Sequence, residues 1–242
     1  KSVYVVGNEQ EYHFNVLKES LVQFGQIWAN GIHHLSYGMV DLPSGKMKSR
    51  EGTVVDADDL LQEMHETAKS QTLELGKIDA FTSEEANELF EVIGLGALKF
   101  FLLKVDPKKR ILFNPEESID FQGFTGPFIQ YTHARICSML SKANDVCMKE
   151  NIKLGEQEIT LCIQLFNYKE YLLEAASQMN PAIIANYCFD LSKSFNRYYA
   201  SVPILSEENE ALRNMRLFLC VKISYTLKTG MALLGIKLPN KM

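Results

Sequence analysis

The sequence predicts an α/β domain followed by an all-α domain. Strand, helix and strand patterns alternate within about the first 40 residues, which is the rhythm of parallel α/β folds. Helical patterns fill the rest, and no strand pattern of any length follows residue 126. The 242 residues, 46% of them hydrophobic, suffice for one large domain or two small ones. We place the boundary at the turn-rich residues 123–127, giving domains of 1–124 and 125–242.

The first elements predict a doubly wound sheet. Val3 to Val6 form a continuous apolar run, typical of a strand buried on both faces of a parallel sheet. Apolar residues then recur at spacings of three and four up to Phe24, which predicts a helix ended by Gly25. Residues 32–35 and 39–40 are predicted to be extended.

Two further helices are predicted before the boundary. Asp56 or Asp58 caps a helix that runs to about residue 75, and Thr82 or Ser83 begins another that runs to about residue 104. The glycines of residues 94–96 lack a preceding strand and a third glycine, so they predict close helix packing rather than a phosphate loop.

The second domain is predicted to be a helical bundle. Its periodic segments cover about residues 127–149, 157–178, 181–200 and 207–235, joined by short connections. Pro127 suits the first turn of the first of these helices.

Composition excludes several classes of protein. No apolar run approaches the roughly 20 residues of a membrane span, so no membrane partner is expected. Five cysteines without paired spacing predict free thiols in a reducing compartment, the cytoplasm, and their spacing to the five histidines predicts no metal site. The net charge of −5 argues weakly against nucleic-acid binding, although a local basic patch would be enough for it. Because the chain begins inside a strand without an initiator Met, we expect it to be part of a longer protein.

A cationic run is the first candidate site. Lys46, Lys48 and Arg50 alternate between glycines in residues 45–53, after an extended segment. Such a loop can hold a polyphosphate, because lysine supplies point charges and arginine a fork that matches phosphate oxygens. The alternative is a solvated surface turn.

Two other places carry candidate residues. Gln10 and His13 follow the first strand, where ligands bind in open α/β folds, although solvation of Gln10 and packing of His13 are the alternative. Residues 108–110 are basic and either are solvated or contact RNA phosphates.

The cationic run resembles the lysine-methionine-serine-lysine-serine loop of class I aminoacyl-tRNA synthetases, most closely the arginyl form. Lys46, Met47, Arg50 and Gly52 match that form, whereas Ser49 stands where the general signature has its second lysine. The resemblance extends to residues 10–14, 125–135, 180–199 and 233–242, and therefore to nearly the whole chain.

This resemblance implies the C-terminal part of a Rossmann-like catalytic domain followed by a helical anticodon-binding domain. It implies a cytoplasmic, monomeric arginine–tRNA ligase that uses arginine, tRNA(Arg) and ATP with Mg²⁺, without a protein-bound metal. The phosphate-binding cations are Lys46, Lys48 and Arg50. The other implied ATP contacts are Met39, Val40 and Ser49, and the implied arginine contacts are Gln10 and His13. The implied tRNA contacts are Phe128, Tyr131, Tyr199 and Met242.

Taken without the resemblance, the residues assigned to tRNA binding have other interpretations. Phe128, Tyr131 and Tyr199 can stack on unpaired bases, but aromatic residues at helical spacing also build bundle cores. Arg135 shares a helix face with Tyr131 and binds either RNA phosphate or an acidic side chain. The Phe128 position is commonly Tyr in the family, so a hydroxyl contact is lost there.

One signature of the class is absent from this sequence. The histidine-isoleucine-glycine-histidine motif of the first half of the nucleotide fold does not occur, so we predict that this chain alone does not activate arginine. Two other hypotheses about the function remain. One is a non-catalytic helical RNA-binding or scaffold protein, and the other is the cysteinyl branch, whose zinc site would need a Cys and His cluster that this sequence lacks.

Overall fold

The computed structural model describes residues 1–41, 56–74, 81–143 and 152–242. In these ranges the strands are β1 (Ser2–Gly7), β2 (Ile32–Tyr37), β3 (Val40–Asp41) and β4 (Ile111–Leu112). The helices are α1 (Glu11–Gln23), α2 (Ala57–Glu74), α3 (Ser83–Leu103), α4 (Pro115–Ser118), α5 (Gly126–Leu140), α6 (Glu156–Gln178), α7 (Ala182–Ser201) and α8 (Glu210–Leu233). Within the same ranges, no helix has both the length and the apolar character that crossing a membrane requires.

The predicted strand–helix–strand unit is confirmed. β1 and β2 pair in parallel, from Ser2 opposite Ile32 to Gly7 opposite Tyr37. The helix between them packs through Phe14, whose ring lies 4.4 Å from the imidazole of His34, centroid to centroid. The α/β part therefore has the parallel pairing that the alternation of patterns predicts.

The predicted burial of β1 on both faces is wrong. Tyr4 faces α1, with its ring centroid 5.2 Å from that of Phe14. Because side chains alternate along a strand, Val3 and Val5 point to the other face. Val5 is 64% exposed there, and Val3 is 46% exposed. An apolar run predicts a strand, but its burial depends on what covers each face.

A second parallel pair joins the chain before and after the long helices. Val40 of β3 lies opposite Ile111 of β4, and the Phe113 N–H donates to the Asp41 carbonyl over 2.8 Å. The approach is close at Gly38, where a Cβ would lie 2.2 Å from the Lys109 carbonyl oxygen. Only glycine fits at that position. Of the extended segment predicted at residues 39–40, Val40 lies in β3, and Met39 comes just before the strand.

Local caps fix α2 and α3 as the sequence predicts. The Asp56 carboxylate accepts from the Asp58 N–H over 3.0 Å. Thr82 and Glu85 form a reciprocal capping box at the start of α3. The two helices then meet at Gly94, where a Cβ would lie 2.9 Å from a backbone carbonyl oxygen of α2. The prediction that this glycine serves helix packing is confirmed.

The first bundle helix is shorter than predicted. We expected it to continue to about residue 149, but α5 ends at Leu140. Lys142 and Ala143 form tighter bonds, to carbonyls three residues back, as at a helix end. Residues 144–151 lie outside the described part of the chain. The last helix also begins later and ends earlier than predicted, as Glu210–Leu233.

The two halves of the chain meet closely between α3 and α5. A Cβ on Gly126 would lie 2.5 Å from the Gly96 carbonyl oxygen, so two glycines allow the helices to touch. The core of the bundle is built around fully buried residues of α5, α7 and α8, among them Ile129, Phe195 and Ile223. The bundle is therefore docked on the first half rather than linked to it loosely.

The C-terminal tail, residues 235–242, is fastened along this junction. Gln130 of α5 donates through Nε2 to the carbonyls of Val92 (2.9 Å) and Lys237 (3.0 Å). Buried His133 donates through Nδ1 to the Pro239 carbonyl over 3.0 Å. Side chains of one bundle helix thus hold α3 and the tail together.

Candidate nucleic-acid interface

An open groove of about 450 Å³ lies where α5, α7 and the tail come together. Four of the predicted RNA-contacting residues line it, although they are spread over more than 110 positions of the sequence. They are Tyr131, Arg135, Tyr199 and Met242. The groove also holds the side chains of Lys142 and Lys241. It therefore combines aromatic faces, a guanidinium and the ammonium group of Lys142 in one concave surface, whereas the ammonium group of Lys241 lies 4.4 Å from the ring centroid of Phe81.

Arg135 lies over the aromatic rings of this groove. Its guanidinium carbon is 4.8 Å from the ring centroid of Tyr131 and 5.3 Å from that of Tyr199. A guanidinium at these distances is attracted by the negative face of each ring. Arg135 also donates through Nη1 to the side-chain oxygen of Asn196, an acceptor that was not predicted from the sequence. The predicted contact of Arg135 with RNA phosphate stays a prediction.

Phe128 does not line the groove. It is partly buried, and its ring centroid lies 5.2 Å from that of Phe189 on the bundle core. The structure thus places Phe128 apart from Tyr131, although both lie on α5 and are three residues apart.

The adjacent tyrosines of α7 have different surroundings. Tyr198 is buried, and its hydroxyl donates to Glu158 over 3.3 Å. Burial, together with the Glu158 carboxylate, raises the pKa of Tyr198. Tyr199 is 41% exposed, because the next residue of a helix points about 100° away. Only Tyr199 can meet a ligand in the groove.

A charged network supports the wall of the groove, and it was not predicted from the sequence. Arg216 of α8 donates to Glu158 over 3.0 Å, to Glu207 over 2.6 Å and to the Pro203 carbonyl over 2.6 Å. Residues 202–209 are thereby fixed, and they bring Leu205 to the groove. Glu158 lies 58 positions from Arg216, so no local spacing could have predicted that pair.

The candidate residues of the first half follow the carboxyl ends of β1 and β2, which are paired neighbours. Gln10 ends a 3-10 turn after β1, and His13 is exposed in the first turn of α1. Met39 is 47% exposed between β2 and β3. The side chain of Val40 packs on the buried cluster between α2 and α3. The four residues therefore follow one edge of the sheet.

The cationic run itself is outside the described residues. Its members named above are Lys46, Met47, Lys48, Ser49, Arg50 and Gly52. Just before it, Asp41 accepts two bonds from the guanidinium of Arg110, one of them from Nη2 over 2.8 Å. This pairing raises the pKa of Arg110. Of the basic cluster at 108–110, Arg110 thus pairs within the protein, while Lys108 and Lys109 are exposed.

The described cysteines are buried or partly buried. Cys137, Cys162, Cys188 and Cys220 are free thiols. Burial raises the pKa of Cys188 and of Cys220 to about 12. Over residues 1–41, 56–74, 81–143 and 152–242, no three His, Cys, Asp or Glu side chains are grouped to hold a metal ion.

Comparison with known proteins divides the chain into two matched regions. Residues 1–114 match the family model of the class I (R) tRNA synthetase catalytic domain, and residues 129–242 match that of the DALR anticodon binding domain. The predicted boundary between residues 124 and 125 lies in the interval between these matches and stays a prediction.

Curated relatives and a solved structure match the whole length. The chain is 52% identical to an arginine–tRNA ligase of Phocaeicola vulgatus, with 100% of the chain and 41% of that protein aligned. It is 54% identical to an arginine–tRNA ligase of Flavobacterium psychrophilum, over 99% of the chain and 40% of that protein. The structure of Thermus thermophilus arginyl-tRNA synthetase superposes with a TM-score of 0.91 at 32% identity, covering 100% of this chain and 41% of that one.

The two matched domains, with parallel strands in the first and a helical bundle in the second, define a class I aminoacyl-tRNA synthetase. The relatives that share about half of their residues with the full chain are arginine–tRNA ligases. The chain belongs to the arginyl-tRNA synthetase family, and it spans about two fifths of the length of the curated relatives it matches.

Proposed function

We propose that this chain is the part of an arginine–tRNA ligase that holds the anticodon of tRNA(Arg) and supplies the phosphate-binding loop. In the reaction, the arginine carboxylate attacks ATP to form arginyl-adenylate and release pyrophosphate. A hydroxyl of the terminal ribose of the tRNA then attacks the arginyl carbonyl, which forms the ester and releases AMP. The observation that carries this proposal is the groove in which Tyr131, Arg135, Tyr199 and Met242 meet.

The groove has the chemistry that single-stranded RNA requires. Unstacked bases bind to aromatic faces and guanidinium planes, worth about 1–3 kcal/mol per base. Tyr131, Arg135 and Tyr199 supply these surfaces. Lys142 lines the same groove and can neutralise a phosphate that flanks a bound base. A local cationic site of this kind is compatible with the overall charge of −5.

The first half supplies the contacts to ATP and arginine. Lys46, Lys48 and Arg50 neutralise the β- and γ-phosphates as negative charge builds on the leaving pyrophosphate, which bound Mg²⁺ also neutralises. Met39, Val40 and Ser49 border the nucleotide. Gln10 and His13 face the amino acid. In support of this role, both residues follow the sheet edge at which β1 and β2 end.

Substitution in the full-length synthetase tests both roles. The Lys46→Met, Lys48→Met, Arg50→Met triple variant is expected to lose arginine-dependent ATP–pyrophosphate exchange, measured with tRNA(Arg) present, and to retain tRNA binding. A Tyr199→Ala variant is expected to bind tRNA(Arg) about tenfold more weakly, since one stacked base is lost. If the triple variant kept full exchange activity, this chain would be better described as a non-catalytic RNA-binding module of the synthetase.

The chain alone offers a second test. We expect it to show no arginine-dependent exchange, because the class signature of the first half of the nucleotide fold does not occur in it. It is expected to bind tRNA(Arg) through the groove of the bundle. If the purified chain showed exchange activity, the histidine-isoleucine-glycine-histidine signature would not be required for the activation of arginine.

A further inference from the structure

We propose that Asn196 is a positioning residue, which holds the guanidinium of Arg135 over Tyr131 and Tyr199 in the geometry that receives an RNA base. The proposal rests on the proposed function of the groove, and it adds Asn196 and Thr132 to the residues that determine base recognition. Neither residue lines the groove itself.

The direction of the hydrogen bonds fixes the orientation of the Asn196 amide. The hydroxyl of Thr132 donates its only proton to the Phe128 carbonyl over 2.8 Å. It can therefore only accept from Asn196, and the Asn196 Nδ2 donates to it over 2.7 Å. The Asn196 Oδ1 is left to accept from Nη1 of Arg135. A flipped amide would set an NH₂ group against a guanidinium, which has no acceptor.

The anchor of this chain of bonds is rigid. Thr132 is fully buried, and Asn196 is only partly exposed. Both lie inside long helices, α5 and α7. Arg135 itself is a long side chain that would sample many rotamers if it were held only by the faces of two rings. One bond to a fixed acceptor selects a single placement before the RNA arrives, which reduces the ordering cost of binding.

The residues of this arrangement lie on one face of α5 and one face of α7. Tyr131 and Arg135 are four apart on α5, and Asn196 and Tyr199 are three apart on α7. Residues at these spacings share a face, so α5 brings Tyr131 and Arg135 to the groove, while α7 brings Tyr199 to the groove and sets Asn196 behind Arg135. A guanidinium held in this way presents a fixed plane for stacking and fixed N–H groups for the edge of a base.

The test compares two RNA hairpins and three variants of the chain. The probes are a fluorescent anticodon stem-loop of tRNA(Arg) and the same hairpin with abasic nucleotides in its loop, with binding followed by anisotropy. The variants are Thr132→Val, which removes the acceptor at nearly constant shape, Asn196→Ala, and Thr132→Ser as the matched control that retains the hydroxyl. Circular dichroism establishes that each variant is folded.

We expect Thr132→Val and Asn196→Ala to bind the intact hairpin about threefold to tenfold more weakly, in line with the loss of one guanidinium stacking contact. Binding of the abasic hairpin should not change, and Thr132→Ser should bind both hairpins as the unsubstituted chain does. A merely structural role would weaken binding of both hairpins equally. If Thr132→Val fails to fold, Asn196→Ala and Thr132→Ser carry the comparison.

Two results would overturn the proposal, and they are distinguishable. If Thr132→Val and Asn196→Ala keep the ratio of affinities for the two hairpins, Asn196 does not position Arg135 for base recognition, while the proposed function stands. If the unsubstituted chain itself binds both hairpins equally, the groove does not recognise bases, and the proposed function of the groove falls together with the role of Asn196.

Discussion

Removal of the Arg216 guanidinium is expected to destabilise the bundle strongly. Arg216 is 12% exposed and lies between Glu158, which is 5% exposed, and Glu207, which is 18% exposed. It also donates to the Pro203 carbonyl. An Arg216→Met substitution keeps the aliphatic stem but leaves both carboxylates without their cationic partner.

The size of the effect follows from what each carboxylate keeps. Removing one partner of a buried ion pair costs about 3–5 kcal/mol, because the remaining charge is desolvated without compensation. Glu158 retains two donors, the Gly155 N–H at 2.6 Å and the Tyr198 hydroxyl at 3.3 Å. Glu207 lies nearer the surface and can be hydrated again. We therefore expect the lower end of the range, a loss of about 3 kcal/mol in the free energy of unfolding.

Urea unfolding followed by circular dichroism measures this loss, by linear extrapolation to water. The control is Lys69→Met, which removes a cation from an exposed pair with Glu66 at 3.7 Å. That pair is about half exposed on both sides, so its loss should change stability by at most about 0.5 kcal/mol. If Arg216→Met and Lys69→Met lowered the free energy of unfolding equally, burial would not explain the contribution of the Arg216 network to stability.

Three other measurements test separate features. Burial lowers the pKa of His133, so the folded protein resists its protonation. The free energy of unfolding should therefore fall as the pH drops below about 6.5, and His133→Gln should flatten that part of the pH dependence of urea unfolding. Because the thiol pKa of Cys188 and Cys220 is raised to about 12, iodoacetamide should leave both unlabelled at neutral pH in the native protein, as peptide mass mapping can check. Gly94→Ala should cost about 1–3 kcal/mol in urea unfolding, since its Cβ would meet an α2 carbonyl, while the exposed Asn87→Ala on the same helix should change little.

Features decided by neighbouring residues in the chain were predictable from the sequence. The capping box of Thr82 and Glu85 marks the start of α3 in the sequence and in the structure alike. Gly94 and Gly96 were correctly predicted to serve helix packing, because they lack the context of a phosphate loop. Periodicity and caps report on a single element, and they need no knowledge of what that element touches.

Features decided by contact between distant segments were not predictable in the same way. The apolar run of β1 gave no information about which of its faces would be covered. The hydrogen bond from Arg135 to Asn196 was not predicted, because the two residues lie 61 positions apart on different helices. An amide is a weak signal in a sequence, because its role depends on the orientation that its neighbours impose.

The tail illustrates how a segment without any periodicity can bring a site together. Residues 235–242 form no helix or strand, yet Gln130 and His133 bind their carbonyls. These bonds lead the chain to Met242, which lines the groove and also packs on the buried cluster between α2 and α3. The wall of the groove is thus supported from the first half of the chain as well as from the bundle. The side chains of the tail add to these bonds, because Ile236 is 3% exposed and belongs to the core of the bundle.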